Sequence, residues 1–126
     1  VSADAILGLD SDGRIESWNR GAELIFGASA AEMLGQPLSS LLGGGDAAQV
    51  EFRWLVESAQ QAGYVRGHET ACRDAAGRPV AVDVTVTSLT NAAGRCLGMS
   101  VILRDITERQ HREAGERVAE PAQAAE

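Results

Sequence analysis

Few side chains in this sequence have the type and spacing to do chemistry, and they fall into three small groups. His68, with Glu69 beside it or Asp83 further on, could move protons, and Ser39 or Ser40 could offer a nucleophilic hydroxyl. No Gly-x-Ser-x-Gly elbow, phosphate loop or metal motif surrounds them, so these polar residues are expected to face solvent and no catalytic residue is assigned. A metal site would have to combine Cys72 or Cys96 with His68 and His111. On an extended strand, His68 and Cys72 share a face but stand about 13 Å apart, too far for one ion. Both thiols are therefore read as reduced structural residues, with no disulfide and no metal.

The elements that hold these residues follow from periodicity and turn chemistry. A short apolar run from Ala5 to Leu9, a turn over Asp10, Asp12 and Gly13, and an alternating segment to Trp18 make an opening β-hairpin. Asn19 is suited to cap a helix over residues 20–26, which Gly27 ends. Ser29 and Glu32 have capping-box spacing in a second short helix closed by Gly35, and Pro37 suits the first turn of a third that runs to about Leu42. Gly43, Gly44 and Gly45 free the chain.

Asp46 and Gln49 read as another capping box, opening the longest internal helix over residues 47–62, which Gly63 ends. Val50, Phe52, Trp54, Leu55, Val56 and Ala59 cover more than one side of it, so a second buried contact is expected beyond the first. Strands over residues 64–73, 79–89 and 96–104 follow, separated by turns at Asp74 to Gly77 and Asn91 to Gly94. In the middle strand Val80, Val82, Val84 and Val86 share one face, and Ala81, Asp83, Thr85 and Thr87 the other. Strands grouped around a block of helices give an antiparallel α+β domain rather than a doubly wound parallel sheet.

The 126 residues make one domain able to bury a core without staples. Its 11 basic residues are all Arg, and against 18 acids they give a charge of −7. Direct nucleic-acid and anionic-membrane binding are excluded on that ground. Apolar runs are too short to cross a bilayer and no secretory signal opens the chain, so a cytoplasmic location is expected.

The stretch from Val101 to Gln110 changes character at Asp105, where an apolar, β-favouring run gives way to a charged, helix-favouring tail. A division follows: residues 1–105 as the packed domain, and 106–126 as a helical linker with a frayed end beyond Pro121. A last strand that hands over to a protruding helix suits a module that passes a change in its core to something joined after it.

The chain resembles a PAS domain of the bacterial sensory type, over nearly everything from Asp4 to Arg109. The likeness is carried by the Ala5 to Asp10 run with Asp12, Gly13, Arg14 and Ile15, then Trp18-Asn19 with Ala22 and Glu23, and Leu24 to Gly27. Glu32 to Gly35, Arg73 to Arg78, and Arg104-Asp105-Ile106-Thr107-Glu108-Arg109 complete it. The resemblance implies a five-stranded antiparallel sheet in order 2-1-5-4-3, with helices on one face enclosing a small cavity and a C-terminal helical extension. It also implies a sensor of ligands or cofactors that pairs with copies of itself and adjoins a histidine kinase, a cyclic-di-GMP enzyme or a transcription regulator.

In that frame Asp105, Ile106 and Thr107 are the junction between last strand and output helix, and Trp18-Asn19 is a family signature. By position, Ile25, Phe26, Leu38, Leu42, Trp54 and Leu55 are expected to line the cavity from the helices. Val82, Val84, Met99, Val101 and Leu103 would line it from the sheet. The cofactor stays unknown. Haem is disfavoured because residues 47–62 hold no His, and covalent flavin because Gly35 to Ser40 contains no thiol. Non-covalent flavin or a small metabolite stays open. His111 lacks the following acid of a kinase phosphoacceptor. A homodimer through the domain and its flanking helices, and a fused output domain, are the expected partners; the alternative is a ligand-free interaction and dimerisation module.

Overall fold

A computed structural model describes residues 4–112. Strand β1 (Ala5–Leu9) turns back into β2 (Ile15–Trp18), because the Asp10 carboxylate accepts the Asp12 and Arg14 backbone N–H groups, each at 2.9 Å. Asn19 caps α1 (Arg20–Phe26), its Oδ1 accepting from the Ala22 N–H, and Gly27 ends that helix in the left-handed region. Both halves of the capping box between Ser29 and Glu32 are present in α2 (Ala30–Met33). The Ser29 backbone N–H and then its hydroxyl hold the Glu32 carboxyl below its usual range.

Two details depart from the sequence reading. Pro37 stands at the N-cap of a tight 3-10 helix (Leu38–Leu42), not inside the first turn of an α-helix. Helix α3 (Gly45–Ala62) is entered through Gly44 with no side-chain cap, so Asp46 and Gln49 form no capping box. Gly44 and Gly45 both have positive φ, which curls the chain into the helix ahead of Asp46. Asp46 then sits in the first turn, where its charge meets the positive end of the helix dipole.

Strands β3 (Tyr64–Arg73), β4 (Pro79–Thr90) and β5 (Cys96–Asp105) complete an antiparallel sheet in the order β2-β1-β5-β4-β3. The two hairpin turns repeat one device: the Asp74 and Asn91 side chains each accept backbone N–H groups two and four residues ahead. The alternation along β4 is kept, with Val80, Val82, Val84 and Val86 buried and the intervening residues partly or fully exposed. Under the helices, Phe26, Leu55, Met99 and Leu103 meet these valines in one core.

Helix α3 buries only Ala48, Leu55 and Ala59, with Phe52 and Val56 packed at the margin. Val50 is 66% exposed and Trp54 50%, so the second buried contact expected of this helix is not made within the described residues. A fourth α-helix, α4, begins at residue 107 and is described to residue 112. The rest of the helical linker and the frayed end expected beyond Pro121 lie outside the described residues.

Candidate functional site

The junction is built by β4. As β5 ends at Asp105, the Ile106 N–H donates to the Ala81 carbonyl at 2.9 Å, and the Ala81 N–H donates back to Thr107 Oγ1 at 3.3 Å. Asp105 accepts the Thr107 N–H at 2.9 Å, a local cap that starts α4 in register with the sheet. Ile106 is buried at 6% exposure, so the start of α4 is held by packing as well as by hydrogen bonds. One turn on, Arg109 and Gln110 both reach Glu69 on β3. Asp105, Thr107, Glu108 and His111 line a groove of about 400 Å³ beside this attachment. The three junction residues thus connect the last strand to β4 directly and to β3 through α4.

The residues expected to line a cavity divide differently. Phe26, Leu38, Leu55, Val82, Val84, Met99, Val101 and Leu103 are all at most 3% exposed and pack on one another, and Ile25 and Leu42 flank them half-buried. They form the packed core. Trp54 lies outside it, because 100° per residue turns it from the core-facing side of Leu55 to the margin of α3, where it is half exposed and meets His68 of the edge strand. It cannot line an interior cavity.

A groove of about 270 Å³ opens instead between α1, α2, the 3-10 helix and the β3–β4 turn, and of the expected lining only Phe26 borders it. Met33, Leu41 and Ala28 give it apolar walls, and Ser40, Gln36 and Arg73 bring polar atoms to it. Its two acids are already engaged: Glu32 by Ser29, and Asp74 by the turn it organises. Hydrogen bonding to the Arg78 backbone, against a smaller opposing effect of burial, holds the Asp74 carboxyl below its usual range. Periodicity could not reveal this groove, since the end of α1 and the β3–β4 turn meet only through the fold, where the Ala75 N–H donates to the Phe26 carbonyl at 2.8 Å.

Trp18 and Asn19 act as ties. The Trp18 indole N–H donates to the Ala28 carbonyl at 2.9 Å, and its ring packs against Phe26. Asn19 Oδ1 accepts from Ile6 as well as Ala22, which joins β1 to α1.

His68 does not partner Glu69 or Asp83, which lie on the opposite face of the sheet. It meets Glu51 of α3 at 2.7 Å and stacks near Trp54, with ring centroids 5.1 Å apart. Ser39 is buried and accepts a hydrogen bond from Gln49 while Ser40 is exposed. Cys72 is fully buried, and burial, helped by the Glu51 charge, pushes its thiol up to about 12. Burial also raises the Cys96 thiol, but hydrogen bonds with Ser88, Gly98 and Gln60 outweigh it, and the net shift is downward. Among the described residues no three His, Cys, Asp or Glu side chains are grouped to hold a metal ion, and no helix is long and apolar enough to cross a membrane.

Known proteins are consistent with this architecture. A PAS domain from Colwellia psychrerythraea superposes with a TM-score of 0.75 at 26% identity, over 83% of this chain and 87% of that one. A sensory box histidine kinase/response regulator from Burkholderia thailandensis superposes at 0.74 with 15% identity, over 99% of this chain and 93% of that one. The PAS domain of a LuxR-family transcriptional regulator from Burkholderia thailandensis, in complex with ethanol, gives 0.72 at 16% identity, over 85% of this chain and 92% of that one. A search of curated proteins finds no match. The PAS fold family model matches residues 1–111, and with the sheet order, the helical cover and the junction this places the chain in the PAS family.

Proposed function

We propose that the chain is a cytoplasmic sensory and coupling module of a larger signalling protein, with residues 1–105 as sensor and 106–126 as the segment that leads to a fused output domain. A small ligand, a cofactor or a changed partner contact biases the packing of the helices on the sheet. The strands transmit that bias through Asp105, Ile106 and Thr107 to α4. A histidine kinase or cyclic-di-GMP enzyme is the output this reading favours, and any catalysis belongs to that domain. The effect on output is bounded by the difference in the stimulus's affinity for the two packings, typically about 1–3 kcal/mol.

The observation that carries this reading is the reciprocal bonding of Ala81 with Ile106 and Thr107, which leaves α4 unable to move without disturbing β4. The 270 Å³ groove beside Arg73 is the place we assign to a small ligand: Arg73 Nη1 donates to the Gly77 carbonyl at 2.9 Å, and the remaining N–H groups of its guanidinium are left for an anionic or polar end. The test is Asp105→Ala and Thr107→Val in the full-length protein. Output is expected to lose its dependence on input while the domain stays folded; unchanged regulation in both variants refutes the assignment.

A second reading has its own observation. The interior positions expected to enclose a ligand are filled by Phe26, Leu55, Met99 and Leu103, each at most 2% exposed, which suits a ligand-free interaction and dimerisation module, including one of a transcription regulator. Native mass spectrometry and thermal shift against a metabolite library separate the two. A retained or stabilising small molecule supports the sensor, and indifference to the whole library supports the pairing module.

A further inference from the structure

Val50, Arg53, Trp54 and Glu57 recur at i, i+3, i+4 and i+7 on α3, so they form one stripe, and it points away from the buried Leu55 and Ala59. Val50 and Trp54 are its exposed apolar centre, at 66% and 50% exposure. The Trp54 ring is not loose: it rests on the His68 ring, which Glu51 holds at 2.7 Å. An exposed, pre-positioned tryptophan loses little side-chain freedom on binding, as interface anchors require. Arg53 and Glu57 flank it and make no ion pair with each other or with any other side chain among the described residues.

We propose that this stripe pairs with the same stripe of a second copy, the two α3 helices lying antiparallel about a two-fold axis that crosses the exposed stripe midway between Arg53 and Glu57. The self-complementary charge order selects that occupant. In an antiparallel pair centred there, Arg53 of one copy lies over Glu57 of the other, twice, with the two Trp54 rings at the centre. A copy also meets a stripe here whose Arg53 and Glu57 cancel, although each whole chain carries −7, so the stripe itself adds no net repulsion to self-approach. One helix face is small for an interface, so the dimer is weak and is reinforced by whatever else joins the subunits. The inference rests on the pairing part of the function proposed above and leaves the role of Asp105 and Thr107 to its own test.

The experiment is sedimentation equilibrium of the 126-residue chain at physiological ionic strength, from micromolar to submillimolar concentration, with thermal melts to confirm folding. Self-association is expected, and Trp54→Ala should weaken it roughly tenfold or more, as loss of an interface anchor does. Arg53→Glu and Glu57→Arg should each weaken it roughly tenfold, because each sets like charges opposite one another twice. The double variant should return to within about threefold of the starting constant, and an equimolar mixture of the two single variants should associate more tightly than either alone. A monomer across the whole range, or a dimer indifferent to both charge reversals, overturns the proposal.

Discussion

His68 and Glu69 are neighbours on β3 that grip opposite sides of the sheet: His68 holds α3 through Glu51 at 2.7 Å, and Glu69 holds α4 through Arg109 and Gln110. Adjacent strand residues point to opposite faces, so one segment of an edge strand touches both the helical cover and the outgoing helix. The ladder is interrupted just before this place, where the pairing of β3 with β4 shifts between Val65 and His68 and bends the strand. Glu51→Gln and Glu69→Gln therefore each loosen one side of a shared support. In the full-length protein the two changes are expected to alter output non-additively, with a coupling of about 0.5–1 kcal/mol in a double-mutant cycle. Strict additivity would separate the two grips.

Thr107→Val keeps the shape of the side chain and removes the acceptor for the Ala81 N–H. That bond is one of two that fasten α4 to β4, so its loss should cost about 1 kcal/mol locally. Hydrogen exchange at the Ala81 amide should speed up several-fold, while amides in the β1–β2 hairpin keep their rates. Equal protection at Ala81 in the variant and the parent would show that Thr107 does not hold the junction.

Asn19→Ala removes an oxygen that serves both the Ile6 and the Ala22 N–H groups, and an amide that donates to the Asp4 carbonyl at 3.2 Å. Loss of a helix cap costs about 0.5–2 kcal/mol, and the orphaned strand donor adds to it, so a total near 2 kcal/mol is expected in urea unfolding. Asn19→Asp retains the acceptor and should recover more than half of that loss. A variant with alanine as stable as the parent would mean that the tie between β1 and α1 is idle.

Gly98 lies where β5 passes the end of β1, and a Cβ there would come within 2.5 Å of the Leu9 carbonyl oxygen. Its φ of +153° adds backbone strain for any side chain. Gly98→Ala should destabilise by about 2 kcal/mol or more, whereas Gly35→Ala, with open space around it and φ +87°, should cost about 1 kcal/mol. Chemical denaturation of the two variants side by side checks the order.

Much of the fold is legible in the chain because its determinants are local. Asn19, the Ser29 and Glu32 pair, and the Asp74 and Asn91 turns each act within a few residues, and the Val80 to Val86 alternation names its buried face without help. What pattern could not supply is where a helix finds no neighbour. Val50 and Trp54 have the periodicity of a buried face, and only the fold shows that they stay 66% and 50% exposed, with Trp54 touching the edge of the sheet at His68. The His68 to Glu51 contact and the groove at Arg73 were hidden for the same reason, since their members come from separate elements.

The two thiols should differ sharply in chemistry and in their effect on stability. Cys72 has a folded value of about 12 against an ordinary 9.0, first through burial and then through the Glu51 charge. The folded state therefore holds a proton that the unfolded chain gives up near 9.0. The resulting stability is complete below that pH and is lost as pH climbs from about 9 towards 12. Replacement by the isosteric Cys72→Ser exchanges this for a hydroxyl that does not titrate there, so the fall of urea-unfolding free energy above pH 9 should become shallower by up to one proton's slope. At neutral pH, iodoacetamide should modify Cys96, whose thiol is shifted down and half-buried, many times faster than Cys72. Equal labelling of both in the native protein, or an unchanged alkaline slope in Cys72→Ser, would show that the Cys72 proton is not retained by the fold.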